Sequence, residues 1–193
     1  MVDPQLVDGD DTAPWIFDTG PLSHFAKAGW LGLLKLIAGN HPVIIPDVVY
    51  DEIFSGSARH PHLNLVLDAT STWITVRQIT ETEGLVAFAN YSSLLVGADG
   101  VSNLGECGVL ALAETLPGTA ILDDRTARQA AMSQKVVHRG SVAIILDAIL
   151  HHGLSREAAG AVADDILATA YRFPFESGRF ISWAIEHGYL DYE

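Results

Sequence analysis

Two adjacent carboxylates, Asp123 and Asp124, follow the short apolar run Thr119 to Leu122 and open at once onto a helical pattern carrying Arg125 and Arg128. A run of that length reads as a buried parallel strand. In an open α/β sheet the ligand crevice lies beyond the carboxyl ends of the strands, so an acid there faces a place where chemistry can occur. Asp18 repeats the arrangement: Trp15, Ile16 and Phe17 read as a strand that stops at the carboxylate, and Pro21 fits the first position of a helix. A third copy is PVIIPDVVYDEI, with a strand at Val43 to Ile45, an expected N-cap at Asp47, and Glu52 in the second helical turn. Glu106 opens a fourth helix, LGECGVLALAE. Like charges gathered at one sheet edge need a cation to offset their repulsion, and oxygen donors alone suit a hard divalent ion.

The elements that must position these acids follow in alternation. After Gly29 a second helix is built on Leu31, Leu33, Leu34 and Ile37, and SARHPHLNLVLDATS reads as a loop entering a short helix. Trp73 to Ile79 reads as a strand, residues 80–96 as a helix and 98–103 as a loop. The helix from Leu104 turns Val109, Leu110, Leu112 and Ala113 inward. A short strand is expected around Val136 and Val137, then the helix SVAIILDAILHHG closed by Gly153, then two amphipathic helices beyond what a sheet requires. Strands alternating with helices predict an α/β fold: a parallel sheet of four to five strands with helices on both faces, plus extra C-terminal helices. That topology brings Asp18, Asp123 and Asp124 to one edge, and places Glu52 and Glu106 on helices able to return to it.

Composition narrows the function. A net charge of −13 argues against a protein that coats nucleic acid through bulk positive charge, while leaving room for a cation site or a basic partner. The single cysteine, Cys107, excludes an internal disulfide framework and reads as a small buried residue of its helix. The start MVDPQLVDGDDTAP has neither a basic n-region nor an apolar signal core, and VAIILDAIL is interrupted by Asp147. The expectation is a soluble cytoplasmic protein with no membrane partner. Arg125, Arg128, Lys135 and Arg139 are four of only 11 Lys and Arg residues and fall just after the acid pair, where they can hold substrate phosphates.

Each acid also has a structural explanation. Asp124 can cap its helix, Asn103-x-x-Glu106 spells a capping box, and Asp51 and Glu52 suit the favourable dipole end of theirs. Asp18 is hardest to assign to structure alone, since Thr19 or Gly20 can fill the cap. Other chemistries fit less well. One Asp-Thr-Gly on a strand-to-helix turn is half of an aspartic-protease site and lacks the all-β frame. A haloacid-dehalogenase-like site wants an acid where Gly20 stands, and the pairs His60/His62 and His151/His152 lack a third zinc ligand at suitable spacing.

The segments FDTGPL, IPDVVYDEI, LGECGVLALAE and ILDDRTARQAA, in that order and followed by Gly140 and Ser141, resemble the PIN domain, the nuclease fold of many VapC-type toxins. The resemblance covers residues 14–154, leaving 1–13 as a flexible tail and 155–193 as a helical extension. It implies that Asp18, Glu52, Glu106 and Asp124 form the acid quartet holding Mg2+ or Mn2+, with Asp123 a neighbour or substitute for Asp124. Arg125, Arg128 and Ser141 would then bind substrate. Two departures stand out: Glu106 occupies a position where many such proteins carry aspartate, and the C-terminal helices exceed the minimal domain. The function implied is a metal-dependent endoribonuclease acting on RNA, the toxin of a toxin–antitoxin pair, working as a homodimer or bound to its antitoxin. The alternative is a catalytically silent PIN-like binding or scaffold module.

Overall fold

The structure, a computed structural model, describes residues 12–97 and 102–192. Five strands, β1 (Trp15–Phe17), β2 (Val43–Pro46), β3 (Ile74–Arg77), β4 (Thr119–Ile121) and β5 (His138–Arg139), form one sheet in the order β3-β2-β1-β4-β5. All four pairings are parallel. Every residue of β1 and β2 is buried, as strands covered on both faces must be, whereas only Ile74 of β3 is buried at its edge of the sheet. Ten helices connect and cover the strands among the described residues: α1 (Thr19–Lys27), α2 (Leu31–Ala38), α3 (Asp47–Ser57), α4 (Leu63–Thr70), α5 (Thr82–Leu95), α6 (Leu104–Thr115), α7 (Arg125–Ser133), α8 (Ser141–Leu150), α9 (Arg156–Ala168) and α10 (Phe180–Glu186).

The α/β architecture read from the sequence is the one observed. The central helix is α6, which packs on β1, β2 and β4 and against α3 and α5. Its Cys107 and the run from Val109 to Ala113 are buried on every side, so it is an internal helix with no solvent face along that stretch. The C-terminal helices fold back onto this unit: α9 packs against α8 and α1, and α10 against α9.

Several local expectations are corrected. Pairing at the second sheet edge is centred on His138 and Arg139 rather than on Val136 and Val137; Val137 contributes only its carbonyl, to the N–H of Ala120 at 2.9 Å. The cap of α3 is Pro46, not Asp47, whose carboxylate accepts only the neighbouring Val48 N–H. Pro21 is the third residue of α1. No capping box forms at Asn103: this residue sits in the left-handed region at φ 64°, and its amide donates to the Leu95 carbonyl at 2.7 Å. Its side chain therefore ties the end of α5 to the start of α6 instead of closing the latter's first turn. The loop expected over 98–103 lies mostly outside the described residues, as does most of the tail expected over 1–13.

Candidate active site

Asp18 is the first residue past β1, and its N–H still donates to Ile121 O at 3.1 Å, which locks it beside the end of β4. One carboxylate oxygen accepts from the Gly20 N–H at 3.2 Å, so Asp18 itself caps α1, a role the sequence suggested its neighbours would take. The side chain is only 8% exposed. Glu52 reaches the same place from α3, where the Thr19 hydroxyl donates to its Oε2 at 2.7 Å.

Gly105, in the first turn of α6, faces both. A Cβ there would lie 3.1 Å from Asp18 Oδ1 and 3.2 Å from Glu52 Oε2, so the bare backbone leaves the space into which the two carboxylates point. Glu106 follows on the same turn. Burial, then the charge of Glu106, and less strongly that of Glu52, push the Asp18 carboxyl up to about 8 against the Gly20 N–H, which lowers it. Glu106 is shifted upward too, first by burial and then by Glu52 and Asp124, with its own backbone N–H acting in the opposite sense. Asp18, Glu52, Glu106 and Asp124 thus form a chain of acids that act on one another, with no Lys or Arg paired to them among the described residues.

The Asp123–Asp124 pair divides. Asp124 Oδ1 caps α7, accepting from Thr126 N at 2.7 Å and Ala127 N at 2.9 Å, while Oδ2 has no hydrogen-bond partner among the described residues. Asp123 turns the other way, to the N–H of Ser141 at 2.8 Å and its hydroxyl at 2.6 Å. Ser141 is therefore fully buried and occupied with Asp123, Arg125 is exposed at the start of α7, and Arg128 is half-buried beside Asp123. Arg139 points away from the acids: its guanidinium pairs with Asp147 at 3.1 Å and lies over the Trp15 ring at 5.5 Å. Lys135 is exposed at the end of α7.

Three residues join this edge without any signal in the spacing. Thr19 holds Glu52. The Tyr171 hydroxyl faces Asp123 and Ser141, and burial followed by the Asp123 charge keeps its proton on far above the ordinary phenol range. His24, whose Nδ1 is 2.6 Å from Thr169 Oγ1, meets the Tyr171 ring edge-on and is held below the ordinary imidazole range, chiefly by burial. Tyr171 and Thr169 come from the chain beyond α9, and no local pattern announces where that chain returns.

Among the described residues no group of three or more His, Cys, Asp or Glu side chains is placed to hold a metal ion as they stand. Each acid is instead turned to a local donor: Asp18 to Gly20, Glu52 to Thr19, Asp124 to α7. The chemistry of the donor set nevertheless fits a hard cation, since all the donors are carboxylate oxygens, two of them share the open face of Gly105, and the acids raise one another's proton affinity.

A parallel sheet whose first, second and fourth strands lead into helices bearing acids, with a further acid on the central helix, defines an acid-edged α/β domain of nuclease-like form. The family model DUF3368, a PIN domain, matches residues 14–176, and the chain belongs to the PIN-domain family. The match includes α9 and the Tyr171 segment. No curated protein and no solved structure gives a significant match. Among the described residues no helix is long and apolar enough to cross a membrane.

Proposed function

We propose that this protein is a Mg2+- or Mn2+-dependent endoribonuclease and the toxin of a toxin–antitoxin pair. The observation that carries the nuclease reading is the convergence of Asp18 and Glu52 on the open face of Gly105, with Glu106 adding its charge to the buried Asp18. Asp18, Glu52, Glu106 and the free oxygen of Asp124 would hold the ion. Once bound, a divalent ion of this kind polarises a phosphodiester and acidifies an attacking water.

The residues of the chain do the rest. Gly20 N–H fixes one oxygen of Asp18, which leaves the other directed at the shared space. The Thr19 hydroxyl sets the rotamer of Glu52. Asp18 must give up a proton held to about pH 8 before it can serve as a ligand, so loading with metal releases acid. Arg125, exposed at the start of α7, stands next to Asp124 where it can pair with a substrate phosphate.

The toxin reading is supported by charge. At −13, with a pocket of carboxylates, the surface suits a basic inhibitor whose arginine or lysine competes for the acids, and such a segment is the antitoxin we expect. The test is incubation of the purified chain with single-stranded RNA in Mg2+, in Mn2+ and in chelator, beside Asp18→Asn. Cleavage that needs the ion and is lost in the variant is the expected result. Metal-independent cleavage, or none in either ion, sinks the nuclease reading and leaves a binding module. Recovery of the chain alone from its native host, with no growth defect on overproduction, sinks the toxin reading only.

A further inference from the structure

The segment that follows α9 builds a second site beside the acid cluster. It closes a cavity of about 240 Å3 whose walls include Asp123, Arg128, Gly140, Tyr171, Arg172 and Phe173. Asp123 and Gly140 stand just past β4 and β5, so the cavity opens at the same sheet edge as Asp18, with Asp123 adjoining Asp124 of the acid cluster.

The charge of this cavity is unlike that of its neighbour. Its one carboxylate, Asp123, is occupied by the N–H and hydroxyl of Ser141 and faced by the Tyr171 hydroxyl. Of the arginines that line it, Arg139 is neutralised by Asp147 at 3.1 Å. Arg128 and Arg172 make no ion pair among the described residues, and Gly140 lets Arg128 approach: Nη1 lies 3.5 Å from where a glycine Cβ would stand. In a chain with 11 Lys and Arg residues against 24 acids, Arg128 and Arg172 against the one carboxylate of Asp123 give this cavity a positive surplus, a local anion site against the sign of the whole protein.

The third wall is aromatic. Phe173 lines the cavity half-buried, with the Tyr171 ring tilted against it at a centroid distance of 4.5 Å and Phe175 stacked on it at 4.9 Å. Phe175 is buried in turn against Phe180 and Trp183 of α10. The extra C-terminal helices thereby fix an aromatic platform next to two free guanidinium groups. Arginine for phosphate and a rigid aromatic face for a base are the two contacts with which proteins hold unpaired nucleotides.

We infer that the cavity formed by Arg128, Arg172 and Phe173 beside Asp123 is a nucleotide subsite, holding the phosphate and base of one residue of single-stranded RNA next to the acid cluster. The inference rests on the nuclease reading for the identity of the ligand, but binding is measurable apart from cleavage. The experiment titrates the full chain, in chelator, into a fluorescently labelled single-stranded oligoribonucleotide at several salt concentrations, for the parent, Arg172→Gln, Arg172→Lys and Phe173→Leu. A duplex of the same length serves as comparison. Arg172 is exposed, so its replacement leaves the fold in place.

Arg172→Gln should weaken binding about tenfold and reduce the salt slope by about one, Arg172→Lys should restore part of the loss, and Phe173→Leu should weaken binding by about fivefold or more with little change in slope. In cleavage, Arg172→Gln should raise KM and leave kcat near the parent value. Binding and KM unchanged in Arg172→Gln and Phe173→Leu, with cleavage intact, overturn the subsite and leave the nuclease. Binding that depends on these residues in a chain that cleaves nothing supports the subsite and overturns the nuclease. A parent that binds no RNA, or binds the duplex better, overturns the subsite and leaves the cavity to an acidic side chain of a protein partner.

Discussion

Asp18 and Asp147 are buried to nearly the same degree, 8% and 6% exposed, yet they are handled in opposite ways. Asp147 lines a cleft at the amino ends of the strands together with Trp15, His41 and Thr119. There it has Arg139 at 3.1 Å, with His151 and His152 at 3.7 and 3.9 Å. Asp18, at the carboxyl ends, has Glu106 and Glu52 near it and receives a backbone N–H, with no Lys, Arg or His paired to it among the described residues. A buried carboxylate with its countercharge built in is a structural element, since the protein has already satisfied it. One whose charged neighbours among the described residues are acids is relieved instead by keeping its own proton, and such a perturbed group marks a candidate functional site.

The largest expected effect comes from breaking the satisfied acid. Arg139→Ala leaves the buried Asp147 with only His151 and His152 beside it among the described residues and removes the cation from the Trp15 face, and it should cost about 3 kcal/mol in chemical denaturation. Replacing both partners with apolar residues of similar size should recover most of that loss. If the double variant is no better than the single one, the ion pair is doing more than neutralising itself.

The unsatisfied acid should respond to pH in the reverse sense of an ordinary carboxylate. Below pH 3.8 Asp18 carries its proton in both folded and unfolded chains and is silent. From there to about pH 8 the unfolded chain gives up the proton and the folded one retains it, so the metal-free protein loses stability as pH rises, by at most about 1.4 kcal/mol per unit from this group. Asp18→Asn should flatten that fall and leave the apo form at least as stable at pH 7. It should also abolish any rise in melting temperature on adding Mn2+. A variant that still gains as much from Mn2+ would place the ion elsewhere.

Gly105→Ala is a sharper probe of the shared space, because the methyl group would sit 3.1 and 3.2 Å from the two carboxylate oxygens. The helix gains up to about 1 kcal/mol in propensity while the acids must give way by a few tenths of an ångström. Stability should therefore stay within about 1 kcal/mol of the parent while Mn2+ binding, followed calorimetrically, weakens more than tenfold. Equal affinity would show that the ion does not use this face.

The smallest effect separates capping from ligation at the acid pair. Asp124→Ser keeps a side-chain oxygen for Thr126 and Ala127, so thermal denaturation should move by less than about 1 kcal/mol. Cleavage should fall, because the carboxylate has gone while the cap remains. Full activity in Asp124→Ser would make Asp124 a cap and nothing more.

How much of this was legible in the sequence depends on the distance over which each feature is decided. Strand β1 and its terminal Asp18, β4 and its acid pair, and the inward residues of α6 follow from apolar runs a few residues long, and they stand as read. Errors arose where a side chain had two local partners of similar worth. Asn103 could cap α6 or reach Leu95, and its amide donates to the Leu95 carbonyl. Asp124 takes the cap of α7 with one oxygen, and its other oxygen has no hydrogen-bond partner among the described residues. Tyr171, Arg172 and Phe173 were missed outright, because their meeting with Asp123 and Arg128 spans more than 40 residues and depends on how α9 and α10 dock. Arg139 was misplaced for a related reason: the sequence put it near the acids, while Asp147, one helix later, holds it elsewhere.

Strand order also carries a schedule. β1 is translated first but lies in the middle of the sheet, with β2 on one side and β4 on the other. The first neighbour arrives within about 30 residues; the second is made only after three more helices, β3 and α6. At about 5–20 residues per second, the inner edge of β1 waits several seconds for β4. During that time Asp18 has neither Ile121 to fix its backbone nor Glu106 beside it. The nascent chain is therefore without its acid cluster until β4 has been made, and the unpaired flank of β1 is the stretch most open to a chaperone or to another copy of the same strand.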